Sequence, residues 1–106
     1  MSAGRILAGS HEGVYLVKLE GDVRLTLCSA IDRYLDAMFE DPNFRSVLVD
    51  LNAASAVDST TLGLLAKLSV QTHKRFGLVP ALFCDNPDLL RVMRFMGFDD
   101  VFQISA

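Results

Sequence analysis

Residues 46–77 constrain the fold more than any other part of the chain. A short apolar run, Ser46 to Leu51 (S-V-L-V-D-L), is followed by small residues. The stretch V-D-S-T-T-L-G-L-L (Val57 to Leu65) then opens an amphipathic run that ends at Gly77. Such a pattern reads as strand, loop and helix, the repeating unit of an α/β domain. Asp58 and Ser59 fall where the chain turns into the helix, a place that favours oxygens able to accept the free N–H groups of the first turn.

On either side the same alternation continues. Ile6 to Ala8 and Val14 to Leu19 (V-Y-L-V-K-L) read as two strands joined by the polar turn Ser10 to Gly13. Glu20-Gly21-Asp22 is expected to break the second strand, with Gly21 at positive φ. Thr26 to Glu40 carries Leu27, Ile31, Leu35, Met38 and Phe39 at helical spacing, and Asp41-Pro42-Asn43 stops it. Asn52 to Val57 is expected to be a loop. The second helix should run from about Thr60 to Phe76, burying Leu62, Leu65, Ala66, Ser69, Thr72 and Phe76. Gly77 is placed to cap it, with Lys74 and Arg75 in the last turn where the dipole favours cations. Leu78 to Cys84 is a further strand, with Pro80 at its start or on a free edge. Asn86 caps a third helix with Pro87 at its first position, an inner face of Leu89, Val92, Met93 and Met96, and a stop at Gly97. Val101 to Ser105 closes the order β-β-α-β-α-β-α-β. Helices between apolar strands call for a mostly parallel sheet with right-handed crossovers, and the opening hairpin makes it mixed.

Composition narrows the function. The chain has 106 residues, a net charge of −3 and 51 % apolar residues. That suits one well-supplied core and argues against nucleic acid, which calls for a basic face. No apolar run approaches the roughly 20 residues of a membrane span. The N-terminus lacks the long apolar region of a signal peptide, so a cytoplasmic protein is expected. Cys28 and Cys84 read as buried thiols. His11 and His73 are far apart, and no spacing of cysteines and histidines suggests a metal. No glycine-rich phosphate loop is present, and no catalytic constellation or cofactor is indicated. Asp50 and Asp58 can be read as paired carboxylates, or as a strand end and a helix start.

Two features leave a choice open. Asp58-Ser59-Thr60-Thr61 can be a helix cap and nothing more, or a modification and docking site. A phosphate there would face the positive end of the helix dipole. Leu64 and Leu68, at i,i+4 spacing beside the buried stripe, can be core or an exposed patch for a partner.

The strand S-V-L-V-D-L followed by V-D-S-T-T-L-G-L-L resembles the STAS domain as found in bacterial anti-sigma factor antagonists. That family carries Asp-Ser-(Ser/Thr)-Gly-(Leu/Ile)-Gly at the start of a helix. Asp58, Ser59, Thr60, Leu62 and Gly63 match it, while Thr61 stands where the family has glycine. The likeness extends over nearly the whole chain, including the tail D-L-L-R-V-M-R-F-M-G-F-D-D-V-F. It implies a single STAS domain over residues 1–106, with a mixed, mostly parallel sheet, an N-terminal hairpin and helices packed mainly on one face. It also implies a phosphorylation switch rather than an enzyme. Ser59 would be the phosphoacceptor, with Thr60 a secondary candidate, and Asp58, Thr60, Thr61, Leu64 and Leu68 would join Ser59 at the partner surface. The partners implied are an anti-sigma factor or serine kinase of the histidine-kinase-like ATPase type, and a serine phosphatase. The unmodified form would hold the anti-sigma factor and free a sigma factor. The rival implied by the same family is a STAS subunit of a phospholipid ABC transporter. A nucleotide-binding module is a third reading.

Overall fold

The computed structural model describes residues 4–24 and 27–106, with Cys28 described by its backbone alone. Leu25 and Thr26, the latter the expected start of the first helix, lie outside the described residues.

The chain opens with β1 (Arg5–His11) and β2 (Val14–Val23), an antiparallel pair in which His11 faces Val14. The turn is thus the two residues Glu12-Gly13, both at positive φ (50° and 83°), the conformation that matches the twist of a hairpin. It is tighter than the expected Ser10–Gly13 turn, because β1 continues to His11. Gly13 has a second constraint. A Cβ there would lie 1.9 Å from the carbonyl oxygen of Asn43, since Arg45 N–H bonds the Gly13 carbonyl at 2.8 Å.

Helix α1 (Cys28–Glu40) leads to β3 (Ser46–Asp50), which pairs in parallel with the first half of β2. The next segment departs from expectation. Residues 54–57 are a strand, β4 (Ala54–Val57), and β2 is not broken at Gly21. It passes through an irregularity at Gly21/Asp22 and pairs its end, up to Val23, with β4 in parallel. Gly21 does take positive φ (73°), inside the strand. β3 and β4 therefore follow one another along the same side of β2, interrupted at residues 51–53. Leu51 N–H there turns to Phe83 O, and Ala53 O accepts from Gly21 N–H.

Helix α2 (Ser59–Phe76) follows, then β5 (Ala81–Phe83), α3 (Pro87–Phe95), a 3-10 turn at Phe98–Asp100 and β6 (Gln103–Ser105). The fifth and sixth strands are shorter than the apolar runs suggested: Leu78 and Val79 are exposed ahead of Pro80, and Val101 belongs to the turn after Phe98. Among the described residues the strands form one sheet in the order β1-β2-β3-β5-β6, with β4 on β2.

One face of this sheet carries Val17, Leu19, Val47, Val49 and Leu82, all buried. Against it lie Ile31, Leu35 and Met38 of α1, Leu62, Leu65 and Leu68 of α2, and Leu89 and Met93 of α3, in one core. The opposite face leaves Leu7, Val14 and Leu16 more than 40 % exposed, so the helices sit on one side as expected. On α3, Val92 and Met96 point outward, not inward, because only the Leu89–Met93 edge reaches the sheet. Phe76 is also partly exposed. It closes α2 against an aromatic group, 4.5 Å from Phe44 and 6.3 Å from Phe39 between ring centroids.

Candidate functional site

The pairing of β4 with the end of β2 delivers the chain to the carboxyl end of parallel strands, the edge where open α/β sheets usually place their sites. Asp58 N–H donates to Val23 O at 3.3 Å, and α2 starts from that anchor. Asp58 is the N-cap, with extended backbone (φ −81°, ψ 168°). Its Oδ1 accepts the Thr61 N–H at 2.9 Å, and its carbonyl accepts Leu62 N–H at 3.0 Å. One orphan donor of the first turn is thereby satisfied. Ser59 and Thr60 are the first two helical residues, and both are exposed.

The next turn separates residues that the sequence left together. Thr61 is fully buried, so its hydroxyl is no part of the surface. Leu68 is fully buried as well and lines the seam between α1 and α2 with Leu35. It therefore cannot belong to an exposed patch. Leu64 is half-buried against the core edge. Gly63 is exposed, and a Cβ there would meet nothing within 4 Å. The protein's own packing does not demand glycine at that point, although glycine costs about 1 kcal/mol in a helix interior. What α2 presents around the tip is Ser59, Thr60, Gly63 and part of Leu64.

Arg24, which the pattern of the sequence does not single out, stands beside this tip. It follows Val23, the partner of Val57, so it neighbours Asp58 across the two strands. Its Nε donates to Asp22 Oδ1 at 2.5 Å, and its side chain is largely exposed. The hydrogen bond to Asp22 raises the guanidinium's pKa, with smaller help from the charges of Asp22 and Asp58.

Other candidates resolve plainly. Asp50 Oδ1 accepts Asn52 N–H at 2.9 Å in the turn after β3, so Asp50 and Asp58 cap separate features. Cys84 is buried, which pushes its thiol pKa up. His11 and His73 are exposed, and no cluster of metal ligands occurs among the described residues. No helix among them is long and apolar enough to cross a membrane. At the far end of α2, Gly77 (φ 67°) donates to His73 O at 2.9 Å, the expected left-handed cap.

No curated protein sequence matches the chain significantly. Solved structures do. An anti-sigma factor antagonist from Mycobacterium paratuberculosis superposes with a TM-score of 0.80 at 22 % identity, over 96 % of this chain and 85 % of that one. The phosphorylated form of the Bacillus cell fate determinant SpoIIAA gives a TM-score of 0.77 at 13 % identity, over 96 % and 92 %. A sulfate transporter family protein from Wolinella succinogenes gives 0.70 at 16 % identity, over 87 % and 75 %. At these identities the likeness is one of fold. The family model of the STAS domain matches residues 5–106, and with the mixed sheet, the hairpin and the capped Asp58-Ser59 tip in place, the chain belongs to the STAS domain family.

Proposed function

We infer that this protein is an anti-sigma factor antagonist whose Ser59 hydroxyl is phosphorylated to control binding to a partner. The observation that carries this reading is the placement of Ser59: exposed, at the first helical position, on a tip whose backbone is fixed by the Asp58 cap. Support also comes from a fold shared with SpoIIAA, a protein whose structure exists in unphosphorylated and phosphorylated forms. The chain acts as substrate and ligand rather than as enzyme. A phosphoryl donor and a base to take the Ser59 proton would come from a cytoplasmic bacterial serine kinase of the histidine-kinase-like ATPase type. A serine phosphatase would reverse the step. The unmodified form would hold the anti-sigma factor, leaving the sigma factor free to direct transcription.

The energetics suit this role. A phosphate adds about −1.5 to −2 charges and three acceptor oxygens. The helix N-terminus tolerates it within the domain. At a docked interface the same charge must be desolvated against the partner. Reversing a complex from 99:1 to 1:99 needs roughly 5.5 kcal/mol of differential affinity, which one buried phosphate can supply. Thr60 is a secondary acceptor. Asp58, Ser59 and the exposed edge of Leu64 would form the contact, with Gly63 allowing a partner backbone to come close.

The test is intact-mass analysis of protein isolated from its own cells, with Ser59→Ala in parallel. A single phosphate, absent in the variant, is the expected result. Equal partner affinity of modified and unmodified protein would end the proposal. The likeness to a sulfate transporter family protein favours one second reading, a STAS subunit docked on a transporter. Under it, affinity isolation from membranes yields a permease complex and Ser59→Ala leaves that complex intact.

A further inference from the structure

We propose that Arg24 is an internal receptor for a phosphoryl group on Ser59, released from Asp22 when that group arrives. The proposal rests on the reading of Ser59 as phosphoacceptor and adds what holds the phosphate once it is there.

The geometry comes from the β2–β4 pairing. Val23 is in register with Val57, and Asp58 N–H bonds Val23 O. Neighbouring strands lie about 4.8 Å apart, so the residues following each partner are side by side. Those residues are Arg24 and Asp58, and Ser59 is next on the β4 side. With Val23 paired to Val57, the backbone of Arg24 follows beside that of Asp58, a separation that a long arginine side chain can span. The side chain is exposed, so it can turn without disturbing the core.

The exchange is favourable on charge and on shape. In the unmodified protein Arg24 holds Asp22, a single negative charge, through Nε. A phosphate on Ser59 offers about twice that charge and three acceptor oxygens. The planar fork of arginine suits phosphate, giving two parallel charge-assisted hydrogen bonds. Asp58 stays committed to the Thr61 N–H and keeps the tip in shape. Arg24 would then cover the phosphate on one side while the first turn of α2 covers it on another. The bond to Asp22 opens, so the end of β2 changes its charge pattern at the same moment.

The experiment encodes phosphoserine at position 59 of the full chain, which needs no kinase, and follows the phosphorus resonance through a pH titration. An unperturbed second phosphate pKa is about 6. An arginine in contact lowers it, so Arg24→Gln is expected to titrate at least about half a unit above the parent phosphoprotein. Arg24→Lys, which keeps charge but loses the fork, should fall between them, and its folding guards against a trivial loss of structure. Asp22→Asn removes the competitor and should lower the midpoint further. Arg94→Gln, on α3, serves as a remote control and should not move it. If Arg24→Gln titrates with the parent, the receptor assignment is overturned, whatever the cell does with Ser59. If Arg24→Gln shifts as stated but protein from cells never carries phosphate, the receptor stands as a property of the tip and the proposed function fails instead.

Discussion

Leu64 and Leu68 lie one helical turn apart, and truncating each to alanine should give clearly different losses. Leu68 is 0 % exposed, at the seam of α1, α2 and the sheet. Replacing it removes three carbons from the core, roughly 2.4 kcal/mol at ~0.8 kcal/mol per buried CH₂. The cavity left behind raises the cost to about 3–4 kcal/mol, inside the range of buried leucine truncations. Leu64 keeps part of its side chain in solvent and leaves no enclosed void, so Leu64→Ala should cost about 1.2 kcal/mol. For a domain of this size each kcal/mol moves the midpoint by about 5 °C. Thermal unfolding should therefore fall by about 15–20 °C for Leu68→Ala and about 6 °C for Leu64→Ala. Urea unfolding followed by circular dichroism, with unchanged m-values, checks that both report stability and not a new unfolded state. Equal losses, or a Leu68→Ala loss under about 1 kcal/mol, would remove Leu68 from the core and refute the packing described for α2.

Removing the cap by Asp58→Ala should cost about 1 kcal/mol, while Asp58→Asn, which keeps the acceptor for Thr61 N–H, should cost much less; guanidinium unfolding separates the two. Gly13→Ala and Gly77→Ala both place alanine at positive φ, which costs about 1–2 kcal/mol. Gly13→Ala alone also drives a Cβ into Asn43 O, so it should be the worse of the pair by a further 1–3 kcal/mol or so, read from the same unfolding curves. Asp41 is held below the usual carboxylate range, first by the Tyr15 hydroxyl and then by the Asn43 N–H. Its contribution is complete above the unfolded value of about 3.9 and is lost as pH falls through the lower folded value, so Tyr15→Phe should flatten the stability-versus-pH curve below about pH 4.

Local chemistry is well preserved in the primary structure. Asp58 before Ser59, Pro87 after Asn86 and Gly77 after Lys74-Arg75 all sit where helix ends require them, and each end lies within a residue or two of where they point. The stripe Leu62, Leu65, Ser69 and Thr72 follows α2's period and is buried. Where a second element packs on a helix, its period holds but the direction of the buried face is not set locally. Thr61 and Leu68 are buried because α2 meets α1 as well as the sheet, which turns its buried arc by about 40° from the expected stripe, toward Thr61 and Leu68 and away from Ala66. Val92 and Met96 are exposed because α3 meets less than its apolar pattern allows for.

The missed strand has the same origin. Residues 54–57 are small and carry no alternation strong enough to mark a strand. They become one because β2 runs on past Gly21 and offers them its backbone, and a hydrogen-bonding partner more than thirty residues away leaves no trace in local spacing. That pairing also brings Arg24 to Asp58. The sequence by itself determined the alternation of strands and helices and the helix caps, with Ser59 directly after the Asp58 cap, because these depend on neighbours a few residues apart. Only the tertiary structure decided which α2 side chains reach solvent and that Arg24 follows β2 opposite Asp58, because the first depends on how α1 and the sheet meet α2 and the second on the pairing of β4 with β2.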